Sequence, residues 1–381
     1  MVAVGKHPRW HRVGSISDLR QLKPVTGFVS GSLRNEVTPS FVSRLTLPLR
    51  ASVYGTLTSE GTTFRGFEEP WLVDTENVGG RLEVLVVSEA GEGLADSARA
   101  DDKVKVAIGR FKTDHDWTQV RKGDRYSTAV TFQQPFENAP PIILGFNKLD
   151  MGKHESALRL RLFPQNVVKD SFICNAEAWG ETYLYNVFVN WMAIAEPRWQ
   201  TGVLKTIANN PSALLDNRVD FEKPFSSPPM VFVCFSGLDM VNQWDFRAQA
   251  TNIDHTGFSI SLIASSATWV GVARVSWIAI PGEDVLTRKN TWIGRFSTTA
   301  ESAVHNGSGE WTGSVKFGFQ FKATPKIFIG VDQLAFSHDR NLRLYTDTRN
   351  VSKTGMDWRI KQWGNSVLKG AGVSYLALDC A

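Results

Sequence analysis

The chain is poor in cysteine, with only Cys174, Cys234 and Cys380 among 381 residues. An odd number without paired spacing excludes a disulfide framework as the source of stability. Cys174 and Cys234 lie in apolar runs, where a free Cys acts as a small buried hydrophobe. Long hydrophobic runs are also missing. The stretch VFVNWMAIA (187–195) is short and interrupted by Asn190, which excludes a membrane-spanning helix there. The first residues, MVAVGKHPRWHR, lack the apolar core of a secretory signal. We therefore expect synthesis in the cytoplasm, no membrane insertion, and a reducing compartment, with export by a signal-independent route left open. Neither charge sign dominates: 42 Lys and Arg against 38 Asp and Glu leave +4. The positive charges are scattered, so nothing suggests a nucleic-acid stripe, and the basic run at 6–12 reads as a solvated terminus. No segment has convincing helical periodicity.

Catalytic signatures are missing as well. There is no Ser-His-acid elbow, zinc spacing, phosphate loop or dinucleotide fingerprint. Asp114-His115-Asp116 reads as a polar surface loop rather than a metal cluster. The expectation is a protein that is not an enzyme and uses neither cofactor nor metal.

What is present is repetition. The segments FENAPPIILGF (136–146), FSSPPMVFVCF (225–235) and FKATPKIFIGV (321–331) share one pattern. Arg159, Arg247 and Arg343 each follow a proline of that motif by 18 residues. Each copy closes on an apolar strand with one large aromatic: VNWMAI (189–194), VSWIAI (275–280) and VSYLAL (373–378). Internal repetition of this length means several small domains or one compact array of them. We place the copies at 104–196, 197–283 and 284–381. Residues 1–103 form a separate β-rich module ending in the small, polar linker EAGEGLADSARADDK (89–103). Short runs rich in Val, Ile, Phe and Thr, separated by turn residues, predict an all-β antiparallel sandwich or barrel in each copy. Trp191, Trp277 and Tyr375 sit in the most apolar strands and read as core.

Two features point to binding. The repeated Arg offers a rigid fork of donors, suited to neighbouring hydroxyls or a carboxylate, or to bridging strands. Trp179-Gly180 and Trp363-Gly364 form loops in which the ring either stacks on a flat ligand or folds back over the sandwich end. The middle copy reads Ser265-Ser266 there, with Trp269 later.

Together these elements, with Leu149-Asp150 and Leu238-Asp239, resemble the H-type lectin domain. The resemblance covers about residues 104–381. It implies three tandem six-stranded antiparallel β-sandwich domains and, since single domains of the family trimerise, an intrachain pseudo-trimer. It implies multivalent, metal-independent binding of terminal galactose or N-acetylgalactosamine on glycoproteins or glycolipids. Carried over, the first site is Arg159, Trp179, Gly180 and Tyr185. The third is Arg343, Trp363 and Gly364, with Asn365 as helper. The middle site keeps Arg247 without the platform and is expected to be weak or dead. An acidic residue from a neighbouring protomer completes each family site; Asp114, Asp116, Asp124 and Glu310 are candidates. Further association into homo-oligomers stays open, as do a structural or protein-binding array with dead sites and a glycan-targeting module carrying an N-terminal effector.

Overall fold

The computed structural model describes residues 104–113, 123–152, 157–206, 217–300 and 303–380 in full. It describes the backbone alone at 207–210, at 215–216 and in six strands near the N-terminus. The chain divides into two compact units, Met1–Ser97 and Ala98–Ala381. The first contains β1 (Val2–Val4) paired with β2 (Arg9–His11). It also contains a four-stranded antiparallel sheet of β3 (Phe28–Leu33), β4 (Ala51–Ser59), β5 (Thr62–Arg65) and β6 (Arg81–Ser88), in the order β3-β6-β4-β5.

The second unit is nearly all strand. The first copy supplies β7 (Val106–Lys112), β8 (Arg125–Thr131), β9 (Ile142–Gly152), β10 (Leu158–Gln165), β11 (Ser171–Ala178) and β12 (Tyr183–Ile194). The second supplies β13 (Gln200–Asn210), β14 (Leu215–Asp220), β15 (Met230–Asn242), β16 (Trp244–Thr251), β17 (Gly257–Ala264) and β18 (Thr268–Ile280). After the short helix α1 (Gly282–Leu286), the third supplies β19 (Thr291–Ser297), β20 (Val304–His305), β21 (Glu310–Lys316), β22 (Lys326–Phe336), β23 (Leu342–Arg349), β24 (Gly355–Lys361) and β25 (Leu368–Leu378).

The sheets do not respect the copies. Each is made of two halves: the strands equivalent to β7, β9 and β12 in one copy join those equivalent to β8, β10 and β11 in another, with the short β20 added at one edge. The orders are β13-β18-β15-β10-β11-β8, β20-β21-β24-β23-β9-β12-β7 and β14-β17-β16-β22-β25-β19. Copy one thus continues into copy two, two into three, and three back into one. The three copies close into a cyclic pseudo-trimer within one chain. Sharing sheets in this way covers edges that would otherwise present unpaired backbone groups.

Burial follows this layout. Strand β10 alternates buried and half-exposed residues, as a strand with one wet face should. The first half of β9 is buried continuously, because it reaches the centre of the pseudo-trimer. There Gly145, Cys234 and Gly330 occupy equivalent positions and converge. A Cβ on Gly145 would stand 2.8 Å from Cys234 Sγ, and one on Gly330 would stand 2.6 Å from the same sulfur. The centre holds one side chain, and Cys234 provides it. Burial raises the pKa of the Cys234 thiol, and raises that of Cys174 to about 12. Both are buried free cysteines, as the apolar runs predicted.

Trp191, Trp277 and Tyr375 are core residues as expected, each lying over the glycine of the copy's opening strand (Gly109, Gly202 and Gly294). In copy one, Phe132, Phe172 and Trp191 form one cluster with ring centroids 5.6–6.0 Å apart. In copy three the Phe172 position belongs to Met356, by the register of β23 with β24. The spacing from Met356 to Tyr375 is 19 residues, the same as from Phe172 to Trp191. Counting from Trp358 instead makes the third copy look shortened. Trp358 in fact takes the place of Cys174 and stacks on Phe296 at 5.0 Å.

The links between copies lie together. Fully buried Asp284 of α1 accepts hydrogen bonds from Arg198 Nη1 at 2.6 Å and Trp199 Nε1 at 2.7 Å. Val104 forms a parallel bridge with Cys380, so the beginning and end of the ring meet at these same strand ends. Among the described residues no helix is long and apolar enough to cross a membrane.

Candidate functional site

The opposite strand ends carry the candidate residues, at the three junctions between copies. Arg159 on β10 lies across from Asp239 on β15, and its Nε donates to Asp239 Oδ1 at 3.2 Å. Arg343 on β23 lies across from Asp150 on β9 with the same bond at 3.2 Å. The acid beside each Arg is therefore the Asp of the repeated Leu-Asp pair, donated by the next copy round the ring. Asp124 and Glu310 are engaged elsewhere, with Tyr126 and Arg359. Asp114, His115, Asp116 and His154 lie outside the described residues.

The turn beside each Arg is built the same way. Thr182 Oγ1 accepts the Arg159 N–H at 3.2 Å, and Ser366 Oγ accepts the Arg343 N–H at 3.1 Å. Gly180 and Gly364 have φ of +61° and +63°, a region an L side chain enters only with strain. A Cβ there would stand 2.7 Å and 2.5 Å from the Arg Nη1. The glycines therefore let the turn form and the guanidinium lie flat against it. Trp179 and Trp363 precede them, both half-exposed. Asn365 Oδ1 accepts from Arg343 Nη1 at 2.8 Å, which leaves its amide N–H groups for other partners. Among the described residues nothing accepts from the terminal nitrogens of Arg159.

The middle junction departs from this pattern, and the alignment by proline spacing misplaces its Arg. Thr268 Oγ1 accepts the N–H of Asp245 at 3.2 Å, so Asp245 and not Arg247 stands where Arg159 and Arg343 stand. The reason is a short hairpin. One residue, Gln243, connects β15 to β16, with Asn242 at φ +69°, where the other copies have longer loops. Asp245 faces Ala335 and Ser265 replaces the Trp. Arg247 sits two residues along, opposite Gln333, with its Nε buried and unpaired. Burial and Arg295 push its pKa down, against the pull of Asp332.

Tyr185 also belongs elsewhere than the first site. The last strand of each copy bulges at one residue: Tyr185, Gly271 and Lys369. A bulge re-aims a side chain, and here it aims at the junction with the preceding copy. Tyr185 is thereby brought beside Asp150 and Arg343. Burial raises its pKa first, then Asp150 and Tyr183, with Arg343 opposing. Gly271 opens the equivalent place beside Arg159: a Cβ there would lie 2.8 Å from Asp239 Oδ2 and 3.0 Å from the Trp269 ring. Trp269, half-exposed, thus joins the Arg159 junction from the second copy. Lys369 meets Asp245, whose carboxyl is raised by burial and lowered by that lysine.

Sequence reasoning missed Trp269, Tyr183 and the role of Asp150 and Asp239. One signal was present: the 23-residue spacing of Arg159–Thr182, Asp245–Thr268 and Arg343–Ser366, which gives the correct alignment of all three copies. Burial raises the pKa of Asp150 and Asp239, while the paired Arg acts to lower it. Among the described residues no three His, Cys, Asp or Glu are placed to hold a metal.

A protein described as ATP synthase subunits region ORF 7, from Fuscovulum blasticum, is 30% identical over 73 residues, 19% of this chain. The match spans 63% of that relative's length. Among solved structures, wild-type discoidin II from Dictyostelium discoideum aligns over 48% of this chain and 94% of its own, at 15% identity and a TM-score of 0.21. A second structure, of recombinant discoidin II, gives 47%, 95%, 16% and 0.21. At those scores the likeness says nothing of ligand or assembly. The H-type lectin domain matches residues 127–194, 216–280 and 312–378, just over half of the chain. The chain belongs to the H-type lectin family, whose members bind carbohydrate, and carries three copies of its domain.

Proposed function

We propose that the protein is a multivalent lectin with two working sites per chain, each built across a junction between copies. The observation that carries this reading is the recurrence of one constellation, an Arg–Asp pair against a Trp-Gly turn, at two of three junctions. In the first, Arg159, Trp179 and Gly180 act with Asp239 and Trp269. In the second, Arg343, Trp363, Gly364 and Asn365 act with Asp150 and Tyr185. The Asp accepts from sugar hydroxyls, the Arg donates to them, and the indole ring stacks on the apolar face of the pyranose. The family resemblance favours terminal galactose or N-acetylgalactosamine, bound without metal.

The middle junction lacks Arg, Asp and Trp at the matching positions, so it is weak or silent toward such sugars. A single millimolar site is worth only about 4 kcal/mol. Two sites held in one body raise avidity for a dense glycan surface without new contacts. A glycan array probed with full-length protein, with and without EDTA, tests the reading. Binding of terminal galactose-type structures in both conditions, lost in Trp179→Ala/Trp363→Ala, is the expected result. Silence across the array, or binding untouched by that double variant, overturns it.

A further inference from the structure

The outer face of one sheet carries a row that no linear motif announces. Reading straight across six strands, Lys112 faces Phe188, Phe188 faces Lys148, Lys148 faces Tyr345, Tyr345 faces Lys361, and Lys361 faces Glu310. Cations and aromatic rings alternate. The residues on either side of Lys112, Phe188, Lys148 and Tyr345 along their strands are buried, so this part of the row points outward. Phe188 and Tyr345 are half-exposed there, meeting edge to face at 6.2 Å.

The row borders the Arg343–Trp363 site. Lys148 Nζ lies 4.6 Å from the Phe188 centroid and 5.5 Å from that of Trp363. Lys112 Nζ lies 5.2 Å from the same Phe188 ring. Lys148 is two residues from Asp150 on β9, about 7 Å along the strand. Asp150 is already committed to Arg343, and among the described residues no carboxylate forms an ion pair with Lys112 or Lys148. Glu310 at the far end is held by Arg359. Two neighbouring ammonium groups with no ion-paired carboxylate among the described residues repel each other. Lys148 registers this, its pKa lowered first by burial and then by Lys112, against the pull of Asp150. The row beside the Arg159 site differs: it has Gly237 where Lys148 stands, and its Arg161 is neutralised by Glu177 at 2.7 Å.

We infer that the Arg343–Trp363 site takes an acidic saccharide, its terminal sugar at Arg343 and Trp363 and a carboxylate, sulfate or phosphate of the same chain on Lys148 and Lys112. This rests on the lectin reading above and adds the charge preference of one of its two sites.

The test isolates that site by working in full-length Trp179→Ala protein. Affinities are measured for one galactose-terminated oligosaccharide in uncharged, uronate-containing, sulfated and phosphorylated forms, at low and high salt. The expected charged-to-uncharged ratio is about tenfold at low salt and collapses at high salt, as screening requires. Lys112→Gln and Lys148→Gln should each lower the ratio, Lys148→Arg should keep it, and the three charged forms identify which anion is preferred. Thermal melts of the variants exclude misfolding as the cause.

A ratio of one in the parent overturns the inference while leaving the lectin reading intact. Charged-form binding that survives a further Trp363→Ala change also overturns it, since the row would then be a separate polyanion surface. Absence of binding to every form sinks the lectin reading itself and this inference with it.

Discussion

Arg159 and Asp239, eighty residues apart and in different copies of the repeat, meet across the seam of β10 and β15 with Nε donating to Oδ1 at 3.2 Å. Arg343 and Asp150 repeat the contact across 193 residues. The site is therefore a property of the closed ring and not of one copy. A single excised copy would expose sheet edges and hold only half of each site.

Gly180 and Gly364 test the turn. Replacing either by Ala places a methyl in a left-handed backbone conformation and onto the guanidinium. The strain costs roughly 1–2 kcal/mol of stability. The larger effect is on affinity at that site, because the Arg must move. Titration calorimetry of each variant should show one of two sugar equivalents lost. Retention of both at parental affinity would mean that the Arg does not touch sugar.

The site carboxylates set a pH dependence with opposite signs for binding and folding. Burial holds the Asp150 and Asp239 pKa values above the ordinary carboxylate range, despite the paired arginines. Each accepts most strongly from hydroxyls when ionised. Affinity should therefore begin to fall on acidification at a pH above the usual Asp value of about 3.9. For folding, an acid with raised native pKa contributes stability that is present below its unfolded pKa and lost as pH rises through the folded one. Acid thus weakens binding while these two groups strengthen the fold. Affinity and Tm measured on one pH series check both signs, and an affinity flat down to about pH 4 contradicts the assignment.

The sequence made the three copies, their all-β character and the buried Trp191, Trp277 and Tyr375 legible, because strand patterning and core aromatics are local signals. The Trp-Gly turns were legible for the same reason. The partners of the arginines were not, since Asp239 and Asp150 reach them only through pairing between copies. Arg247 misled because the hairpin at Gln243 is short, so a residue two positions past the equivalent of Arg159 and Arg343 falls 18 residues from a proline by coincidence. Tyr185 was assigned to its own copy's Arg, but a bulge turns it toward the neighbouring junction. No linear reading distinguishes those directions.

The centre of the ring admits one side chain. Gly330→Ala would set its methyl 2.5 Å from Cys234 Cβ, an overpacking that costs about 3 kcal/mol. Adding Cys234→Gly removes the clash, so the double variant should be more stable than Gly330→Ala alone. Chemical denaturation of the two singles and the double gives the coupling directly. Additive effects would show that the three positions do not meet.

Asp284 ties the two inter-copy links to one buried carboxylate. Asp284→Asn leaves Arg198 without its buried counter-charge and should cost about 3 kcal/mol. The links lie at the strand ends opposite the candidate sites, so sugar affinity well below the melting transition should be unchanged. A variant that melts normally but binds poorly would reverse this assignment of roles.

The middle junction offers the most demanding test, because it asks whether the constellation is sufficient. Asp245 faces Ala335 as Arg159 faces Asp239, and its N–H is already held by Thr268. Asp245→Arg with Ala335→Asp should rebuild the ion pair, with a coupling of up to about 1 kcal/mol for a partly exposed pair. That change alone restores no platform. Adding Ser265→Trp and Ser266→Gly supplies the ring and the left-handed turn, and Lys369→Tyr replaces a cation that would repel the new Arg. Calorimetry should then count three sugar equivalents per chain where the parent binds two. A folded quintuple variant that still binds two would mean that Arg, Asp, Trp, Gly and Tyr at these positions do not make a site, and the residues assigned at the other junctions would need revision.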